Sequence, residues 1–491
     1  MLDSYNLILK WSAGASISLN PKLKYDERRL IQLIDLHGLS GRFVSRVKNE
    51  NVNYFSRSFI NKVEHKHQTI KQKIKLNIIA IRRLNRMLPS NIYTVVIKGI
   101  STYVVVHKKE IIRAGDVDIL SNKLNYIIKS LKADGYTLTK NPFLHESGEY
   151  SKNGVEFDLH KYFPVCRYSK KLKSLSKKGI LKHNDSSLLY ERISFKDIYK
   201  DSYLDKSYSE TKNIRVVDIS LLAVIICSHA FMNYVNMWSI SHRKKTCIRL
   251  GELADLAMCC KHKDFNHKKF IGYVNKYQAY DSVEWAARVC KLLFGYNPLP
   301  LRLRDGDQNG NILYPRCIWW NFWALFPLNN SLLQDNWMPI EELAKILGAN
   351  TVSMNSKRGA GKLSTTNANY LLNGTKLIDP KINFKYERGK LDIQIEFNKD
   401  KDTLIERLRV DFGKNAIEYE FIGKSKKSSI VGDRTFIVKF KNLKNKYIAN
   451  FSIKTNKKRL LKGIPLIIGF AKHNYSREMY GSQLIPFFLH L

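Results

Sequence analysis

Apolar residues in the first 90 positions recur every three or four residues, which is the spacing of one face of an α-helix. The clearest stripe precedes Pro89 and comprises Ile70, Ile74, Ile78, Ile81, Leu84 and Leu88. Lys and Arg fill the flanks of this stripe, and Pro89 ends the helix because proline has no amide hydrogen to donate. The pattern therefore predicts a helical lead-in over residues 1–90.

The period changes after the proline, and residues 91–210 are predicted to form strands that alternate with short helices. Tyr93–Ile97 is β-branched and apolar, as expected of a buried strand. A helix with one apolar face is predicted over Leu124–Leu131. Asn153-Gly154 is a strong hairpin signal, because both residues of such a turn need a positive φ. Asp158 is therefore predicted to lie on the return strand of a hairpin.

The second half of the chain divides into three predicted regions. Residues 211–297 are helical, and their most apolar stretch, Ile219–Ser241, contains serine, histidine and asparagine. These polar residues favour a buried core helix over a membrane span, so no transmembrane segment is predicted. Residues 298–375 are a mixed connecting region. Residues 376–491 alternate with period two, which predicts an antiparallel β-sandwich, and the fold class is therefore α+β.

Composition adds a strong charge imbalance to this picture. The 491 residues include 83 Lys and Arg against 43 Asp and Glu, a formal net charge of +40, with 44% hydrophobic residues. The apolar content excludes a disordered chain. The excess charge predicts attraction to polyanions, so nucleic acid is one possible partner. Residues 51–100 contain ten Lys and Arg but one acid, and residues 166–182 contain no acid.

The cysteines and the first residues bear on the compartment. Seven cysteines at irregular spacing, including the vicinal pair Cys259-Cys260, do not suggest a disulfide framework. The first residues contain an early acid and no long apolar run, so no signal peptide is expected. A cytoplasmic location is therefore predicted.

The candidate chemistry is a set of three carboxylates. Asp116 and Asp118 are two positions apart on a predicted strand, so both side chains point to the same face. Adjacent carboxylates repel each other unless a cation lies between them. Asp158, in the middle of another apolar strand, would complete a site for two divalent ions. Upstream, the first strand ends at Gly99 and Ser101, where backbone amides can approach a phosphate.

The order of these motifs resembles the polymerase-β-like nucleotidyltransferase superfamily. Residues from about 28 to 295 are most similar to a broad, mostly uncharacterised bacterial nucleotidyltransferase family. The features that carry the resemblance are His37-Gly38, Lys98-Gly99, Arg113 with Gly115-Asp116-Val-Asp118-Ile-Leu120, Asp134-Gly135-Tyr136, Val155-Glu-Phe-Asp158-Leu-His160, Ser228-His229 and Leu250-Gly-Glu-Leu-Ala-Asp255-Leu-Ala257. The resemblance implies a small mixed sheet flanked by helices.

The same resemblance implies an enzyme that moves a nucleoside monophosphate from a nucleoside triphosphate such as ATP to a hydroxyl-type acceptor and releases pyrophosphate. Its cofactor would be Mg²⁺, with two ions expected and Mn²⁺ as the alternative. Asp116, Asp118 and Asp158 are the expected catalytic residues and metal ligands, with Asp158 acting as third ligand or general base. The expected contacts to the nucleotide are Lys98, Gly99, Ser101 and Arg113.

Several alternatives stay open at the level of sequence. The acceptor is a small molecule, a peptide, a sugar or an RNA end. His160 either orients a metal-bound carboxylate or packs at a strand end, and Lys98 either reaches a phosphate or is a solvated strand end. The C-terminal strands weakly resemble a carbohydrate-binding module, in Gly389–Ile393 and Tyr419–Phe421 among other places. A polyanion- or glycan-binding protein with a degenerate transferase domain is the second hypothesis.

Overall fold

A computed structural model describes the greater part of the chain, and the structural statements below concern these residues alone. They are 2–50, 52–107, 115–142, 145–170, 180–182, 188–205, 214–235, 248–303, 313–319, 322–328, 333, 344–345, 349–354, 360–363, 370–371, 380–398, 403–412, 415–420, 427–431, 437–443, 445–474 and 479–490.

Four helices form the first part of the chain, as the periodicity predicts. They are α1 (Leu2–Ser12), α2 (Glu27–Leu36), α3 (Ser40–Asn49) and α4 (Arg57–Met87). Asp26 and Ser56 begin α2 and α4, and each side chain accepts a hydrogen bond from a backbone amide three residues on. The predicted stripe on α4 is confirmed, since Ile74, Ile78 and Ile81 are buried.

A mixed seven-stranded sheet follows α4. The first ten strands of the chain are β1 (Thr94–Ile97), β2 (Val117–Ser121), β3 (Thr137–Lys140), β4 (Glu146–Lys152), β5 (Val155–His160), β6 (Tyr162–Tyr168), β7 (Ile180–Lys182), β8 (Leu188–Ser194), β9 (Ser202–Leu204) and β10 (Arg215–Val217). The sheet order is β3-β4-β5-β2-β1-β10-β9. The β2–β5 and β1–β10 pairs are parallel and the others are antiparallel.

The hairpin predicted at Asn153-Gly154 joins β4 to β5. Both turn residues have positive φ, 50° and 79°, as the sequence requires. The hairpin places Asp158 on an inner strand of the sheet, because β5 pairs with β4 on one side and with β2 on the other. A separate pair, β6 with β8, lies next to the helices that follow.

Seven further helices lie between or after these strands. They are α5 (Gly99–Thr102), which continues into a π-helical turn (Tyr103–His107), α6 (Leu124–Ala133), α7 (Phe195–Lys200), α8 (Ile219–Val235), α9 (Leu250–Lys261), α10 (His267–Lys276) and α11 (Tyr280–Phe294). α8 is buried on nearly every side and contacts α9, α10 and α11, which confirms the core-helix interpretation. Among the described residues, no helix combines the length and apolarity needed to cross a membrane.

One hydrophobic core runs from Tyr5 to Leu333 and includes residues of the helical lead-in, the sheet and helices α8–α11. Within this core, helix α9 packs closely against the turn after α2 at Gly251. A Cβ atom on Gly251 would lie 2.8 Å from the carbonyl oxygen of His37, so only glycine fits there. The domain limits predicted at 90, 210, 297 and 375 stay predictions.

Among the described residues, the elements of the C-terminal part with both ends defined are strands and a short helix. They are β11 (Leu313–Trp319), β12 (Phe322–Pro327), β13 (Asn350–Ser353), β14 (Ala360–Leu363), β15 (Tyr370–Leu371), β16 (Lys381–Glu387), β17 (Lys390–Asn398), β18 (Thr403–Phe412), β19 (Asn415–Glu420), β20 (Lys427–Val431), β21 (Ile437–Asn442), β22 (Lys446–Lys454), α12 (Lys457–Leu461), β23 (Ile464–Asn474) and β24 (Met479–His490).

Strands β13–β24 form two main sheets around a second core, which runs from Val352 to Leu489. Strands β11 and β12 pair with each other, and β12 also pairs with β7. One sheet has the order β13-β24-β23-β18-β19-β20, with β15 beside β24, and the other has the order β14-β16-β17-β22-β21. The rings of Phe384 and Phe487, one from each sheet, lie 5.5 Å apart. All described pairings are antiparallel except β13–β24. The predicted fold class, α+β with a C-terminal antiparallel β unit, is confirmed.

Candidate functional site

The end of β1 has an unusual backbone at Lys98. Its φ is 57° and its ψ is −129°, a region that residues with a side chain rarely adopt. The amide and the hydroxyl of Thr102 both donate to the Lys98 carbonyl, at 2.8 and 3.1 Å, and hold the turn into α5. The Lys98 ammonium nitrogen lies 2.5 Å from Oδ1 of Asp118 on the neighbouring strand. Of the two alternatives that the sequence left open for Lys98, a solvated strand end does not agree with this side chain, which is 16% exposed. Its contact to a phosphate stays a prediction.

The register of two parallel strands brings two of the predicted carboxylates together. Asp118 on β2 is directly paired with Asp158 on β5. His160 lies two residues after Asp158 and so points to the same face. Its Nε2 is 3.0 Å from Oδ1 of Asp118 and 3.3 Å from Oδ2 of Asp158. One ligand atom from each of the three residues lies within 4.8 Å of the others, and all three are buried.

The charges of this cluster depend on one another. Burial by itself would raise the pKa of Asp118, but the Lys98 ammonium and the His160 imidazole outweigh it and lower this pKa to about 2. Burial would lower the pKa of His160, but hydrogen bonds to Asp118 and Asp158 raise it to about 9. The pKa of Lys98 is raised in the same way, because the attraction of Asp118 and Asp116 exceeds the effect of burial. Two cations thus balance the carboxylates.

Asp116 precedes β2 and is half-buried. Asn77, fully buried on α4, donates from Nδ2 to the carbonyl oxygen of Gly115 at 3.0 Å and so fixes the chain just before Asp116. The pKa of Asp116 is raised, first by the charge of Asp118 and then by burial. Asp116 lies outside the tight group of Asp118, Asp158 and His160.

The donor set fits a divalent cation. Oδ1 of Asp158 and Nδ1 of His160 are buried and have no hydrogen-bond partner among the described residues. A buried carboxylate oxygen without a donor is costly, and a bound cation removes that cost. Carboxylate oxygens are the ligands that both Mg²⁺ and Mn²⁺ prefer. Asp118, Asp158 and His160, with Asp116 beside them, are therefore suited to hold such an ion.

The remaining predicted nucleotide contacts lie at the start of α5 or outside the described residues. Gly99 is the first residue of α5, and a Cβ atom there would meet no other atom within 4 Å. Ser101 is fully buried, and its hydroxyl oxygen accepts a hydrogen bond from the amide of Val217 on β10 at 3.0 Å. Arg113 lies in the segment 108–114, outside the described residues. The predicted contacts of all three to a nucleotide stay predictions.

His160 is the residue that the predicted ligand set left out. The signal in the sequence is its spacing of two from Asp158, which places both side chains on one face of the strand. The sequence alone could not distinguish this role from that of a histidine that only packs at the end of a strand. A second ring, His145, stacks on His160 with centroids 5.5 Å apart. Burial, followed by the charges of His160 and Lys98, lowers the pKa of His145 to about 4, so this ring is neutral.

A buried ion network anchors the turn that follows α5. Nε2 of His107, the last residue of the π-helical turn, lies 3.0 Å from Oδ1 of Asp255 on α9. Arg42 on α3 donates to the same oxygen at 2.9 Å. The network links three elements that are distant in the sequence, and it holds the C-terminal end of the segment that begins with Lys98.

Comparison with known proteins gives one family match. Residues 24–295, more than half of the chain, match the sequence profile of a family described as uncharacterised nucleotidyltransferase. No curated protein matches the chain. A similar solved structure is a family 9 carbohydrate-binding module from Caldicellulosiruptor kristjanssonii, in complex with cellotriose, with 12% identity and a TM-score of 0.21. That similarity covers 29% of this chain and 93% of the module.

Proposed function

The chain belongs to the family of uncharacterised nucleotidyltransferases, and we propose that it is a Mg²⁺-dependent enzyme that transfers a nucleoside monophosphate from a nucleoside triphosphate to a hydroxyl-type acceptor. The observation that carries the Mg²⁺ dependence is the direct pairing of Asp118 with Asp158, which places two carboxylates and the His160 imidazole in one buried cluster. Mn²⁺ is the alternative ion.

In this proposal Asp116, Asp118 and Asp158 hold the divalent ions, with two ions expected. When bound, such ions neutralise triphosphate oxygens and lower the pKa of an attacking hydroxyl. His160 hydrogen-bonds Asp118 and Asp158 and so orients both carboxylates. This positioning role is supported by the burial of His160, which leaves the ring little freedom to turn.

The transfer requires one bond to form and one to break. The acceptor oxygen attacks the α-phosphorus, and the bond from that phosphorus to the oxygen bridging to the β-phosphorus breaks, so that pyrophosphate leaves. As the alternative to its role as third metal ligand, Asp158 accepts the proton of the acceptor hydroxyl, and its unpartnered Oδ1 is consistent with either role. The Lys98 ammonium, held next to Asp118, donates hydrogen bonds to the departing phosphate oxygens. Gly99, Ser101 and Arg113 are the further proposed contacts to the nucleotide.

The donor, the acceptor and the compartment are part of the proposal. ATP is the first donor to test, and the net charge of +40 favours an anionic acceptor, with RNA as one possibility. A reducing cytosol is supported by the six cysteines that the structure describes, all of which are free thiols.

Pyrophosphate release tests the proposal. The purified full chain is incubated with each of the four ribonucleoside triphosphates, with Mg²⁺ or Mn²⁺, and with acceptor fractions that include RNA and cell extract. We expect metal-dependent pyrophosphate release and, by mass spectrometry, a nucleoside monophosphate added to one acceptor. Asp116→Asn combined with Asp118→Asn should abolish both. Undiminished turnover in this double variant would show that the assigned carboxylates are not the catalytic ones.

A further inference from the structure

A basic cleft lies in the C-terminal unit, within the second of its two sheets and away from the carboxylate cluster in sequence. The turn between β16 and β17 forms one side, and the segment from the end of β22 into α12 forms the other. The cleft has a volume of about 570 Å³. Its lining includes four cations, which are Arg388, Lys390, Lys454 and Arg459.

Two features of the cleft are unfavourable for the stability of the fold, so the fold by itself gives no reason for them. Lys390 and Lys454 are directly opposite each other on β17 and β22, and like charges in a cross-strand pair repel. Arg388 occupies the first turn position with a φ of 50°, where asparagine, aspartate or glycine is normally preferred. Positive charge is thus concentrated at a place where sheet and turn both favour other residues.

The charges are only partly neutralised. Nζ of Lys390 lies 3.1 Å from Oδ1 of Asp392, which also accepts a hydrogen bond from Ser452. No acidic partner within the described residues lies within ion-pair distance of Arg388, Lys454 or Arg459. Three cations of the cleft therefore have no acidic partner among the residues that the structure describes.

A buried hydroxyl group adds an independent observation. Thr455 lines the cleft and is 9% exposed, and its Oγ1 is buried without a hydrogen-bond partner among the described residues. Its backbone amide donates to the carbonyl oxygen of Gly389 in the turn opposite at 3.0 Å. A buried hydroxyl without a partner is unfavourable unless a ligand supplies one.

We propose that this cleft binds a ligand through phosphate groups. Arg388, Lys454 and Arg459 would contact the phosphate oxygens, and the Thr455 hydroxyl would donate to one of them. The described residues that line the cleft include no aromatic side chain, so they offer no surface on which a nucleobase stacks. The ligand is therefore a phosphorylated compound without an essential base, such as a phosphorylated glycan or an inorganic polyphosphate chain. This site is independent of the transferase proposal.

Isothermal titration of the full chain with inorganic tripolyphosphate, in the presence of EDTA, tests the site. The cleft variant combines Arg388→Gly, Lys454→Gln and Arg459→Gln, and the glycine keeps the positive φ. The matched control combines Lys381→Gln, Lys439→Gln and Lys441→Gln, which removes the same charge from exposed positions on the same sheet. We expect a loss of about tenfold in affinity for the cleft variant and little change for the control.

Thr455→Val, which keeps the shape of the side chain, should weaken binding by about threefold and leave the melting temperature unchanged or higher. Equal losses in the cleft variant and the control would overturn the proposal, because only net charge would then matter. Two further probes separate ligand classes. The proposal would be overturned if the cleft bound a single-stranded RNA oligonucleotide more tightly than tripolyphosphate. It would also be overturned if the cleft bound oligogalacturonate but not tripolyphosphate. In both cases, loss of that binding in the cleft variant shows that the cleft is the site.

Tripolyphosphate bound near Lys98 would persist in both variants and appear as a separate component of the titration. Failure of the cleft test would therefore leave the proposed transfer reaction unaffected, and failure of the pyrophosphate test would leave the cleft unaffected.

Discussion

The ammonium nitrogen of Lys98 lies 2.5 Å from a carboxylate oxygen of Asp118, across two adjacent antiparallel strands of the central sheet. Both side chains are largely buried, and the same oxygen also accepts from His160. A buried carboxylate needs such partners, because an isolated charge in the protein interior is strongly unfavourable. Lys98 therefore supplies positive charge where a divalent ion is proposed to bind, and the two cations compete for Asp118.

Replacement of Lys98 should separate its two proposed effects. Lys98→Met removes the ammonium while it keeps the length of the side chain. We expect the affinity for Mn²⁺ without nucleotide to rise by about tenfold, since about 1.4 kcal/mol of repulsion and competition is lost. The KM for the nucleoside triphosphate should rise as well, because a phosphate contact is lost. Electron paramagnetic resonance of free Mn²⁺ measures the first effect and steady-state kinetics the second.

Lys73→Met is the matched control, because Lys73 pairs with Glu156 at 3.1 Å on the surface of the same part of the chain. This control should change neither the affinity for Mn²⁺ nor the KM for the nucleoside triphosphate. A Lys98→Met protein that binds Mn²⁺ as the unchanged protein does would contradict the competition between the two cations.

Loss of one central carboxylate should abolish turnover. Asp118→Asn removes the negative charge that Lys98 and His160 both contact, and we expect kcat to fall by about 10³-fold or more. Glu156→Gln, on the same strand as Asp158 but paired with Lys73, should alter kcat by less than about twofold. Circular dichroism checks that both variants fold. A similar loss in the two variants would point to a general effect on the sheet instead of a metal ligand.

The close packing at Gly251 predicts opposite effects for two glycine substitutions. A Cβ atom on Gly251 would lie 2.8 Å from the carbonyl oxygen of His37 and 2.9 Å from that of Gly38, so Gly251→Ala should destabilise by about 1–3 kcal/mol. Gly272, within α10, has no atom within 4 Å of an added Cβ. Gly272→Ala should therefore stabilise by about 0.5–1 kcal/mol, because alanine favours helix. Urea unfolding measures both, and equal effects would refute the packing argument.

His67 predicts a dependence of stability on acid pH. Burial, followed by the charge of Lys71, lowers the pKa of His67 to about 4, whereas Glu64 acts in the opposite direction. An unfolded histidine titrates near 6.5, so the unfolded chain binds the extra proton between these values. The free energy of unfolding should fall as the pH is lowered from about 6.5 to about 4.

His67→Gln should remove this part of the pH dependence, and His65→Gln, at an exposed position of the same helix, should retain it. Urea unfolding at several pH values between 4 and 7.5 provides the measurement. An unchanged pH dependence in the His67 variant would mean that another group is responsible.

Local pattern predicted much of the fold. The stripe on α4, the hairpin at Asn153-Gly154, the buried helix α8 and the alternating strands around Leu391–Phe397 all follow from periods of 3.6 and two and from turn chemistry. These features depend on residues that are close in the sequence, so they can be predicted from a single sequence. Sheet order depends on contacts between distant segments, and the pattern alone did not predict it. The domain limits that the pattern did predict stay predictions.

The candidate site, like the fold, could be predicted only in part from the sequence. By itself, the sequence determined that Asp118 and Asp158 lie on apolar strands. It also showed that these two residues and Asp116, which lies just before its strand, resemble the carboxylates of a nucleotidyltransferase. Only the tertiary structure decided that Asp118 pairs with Asp158, that His160 joins them and that Lys98 turns back onto Asp118. The physical reason is that strand register and an unusual backbone at one residue set these distances. Both are stabilised by a core whose residues are spread from Tyr5 to Leu333.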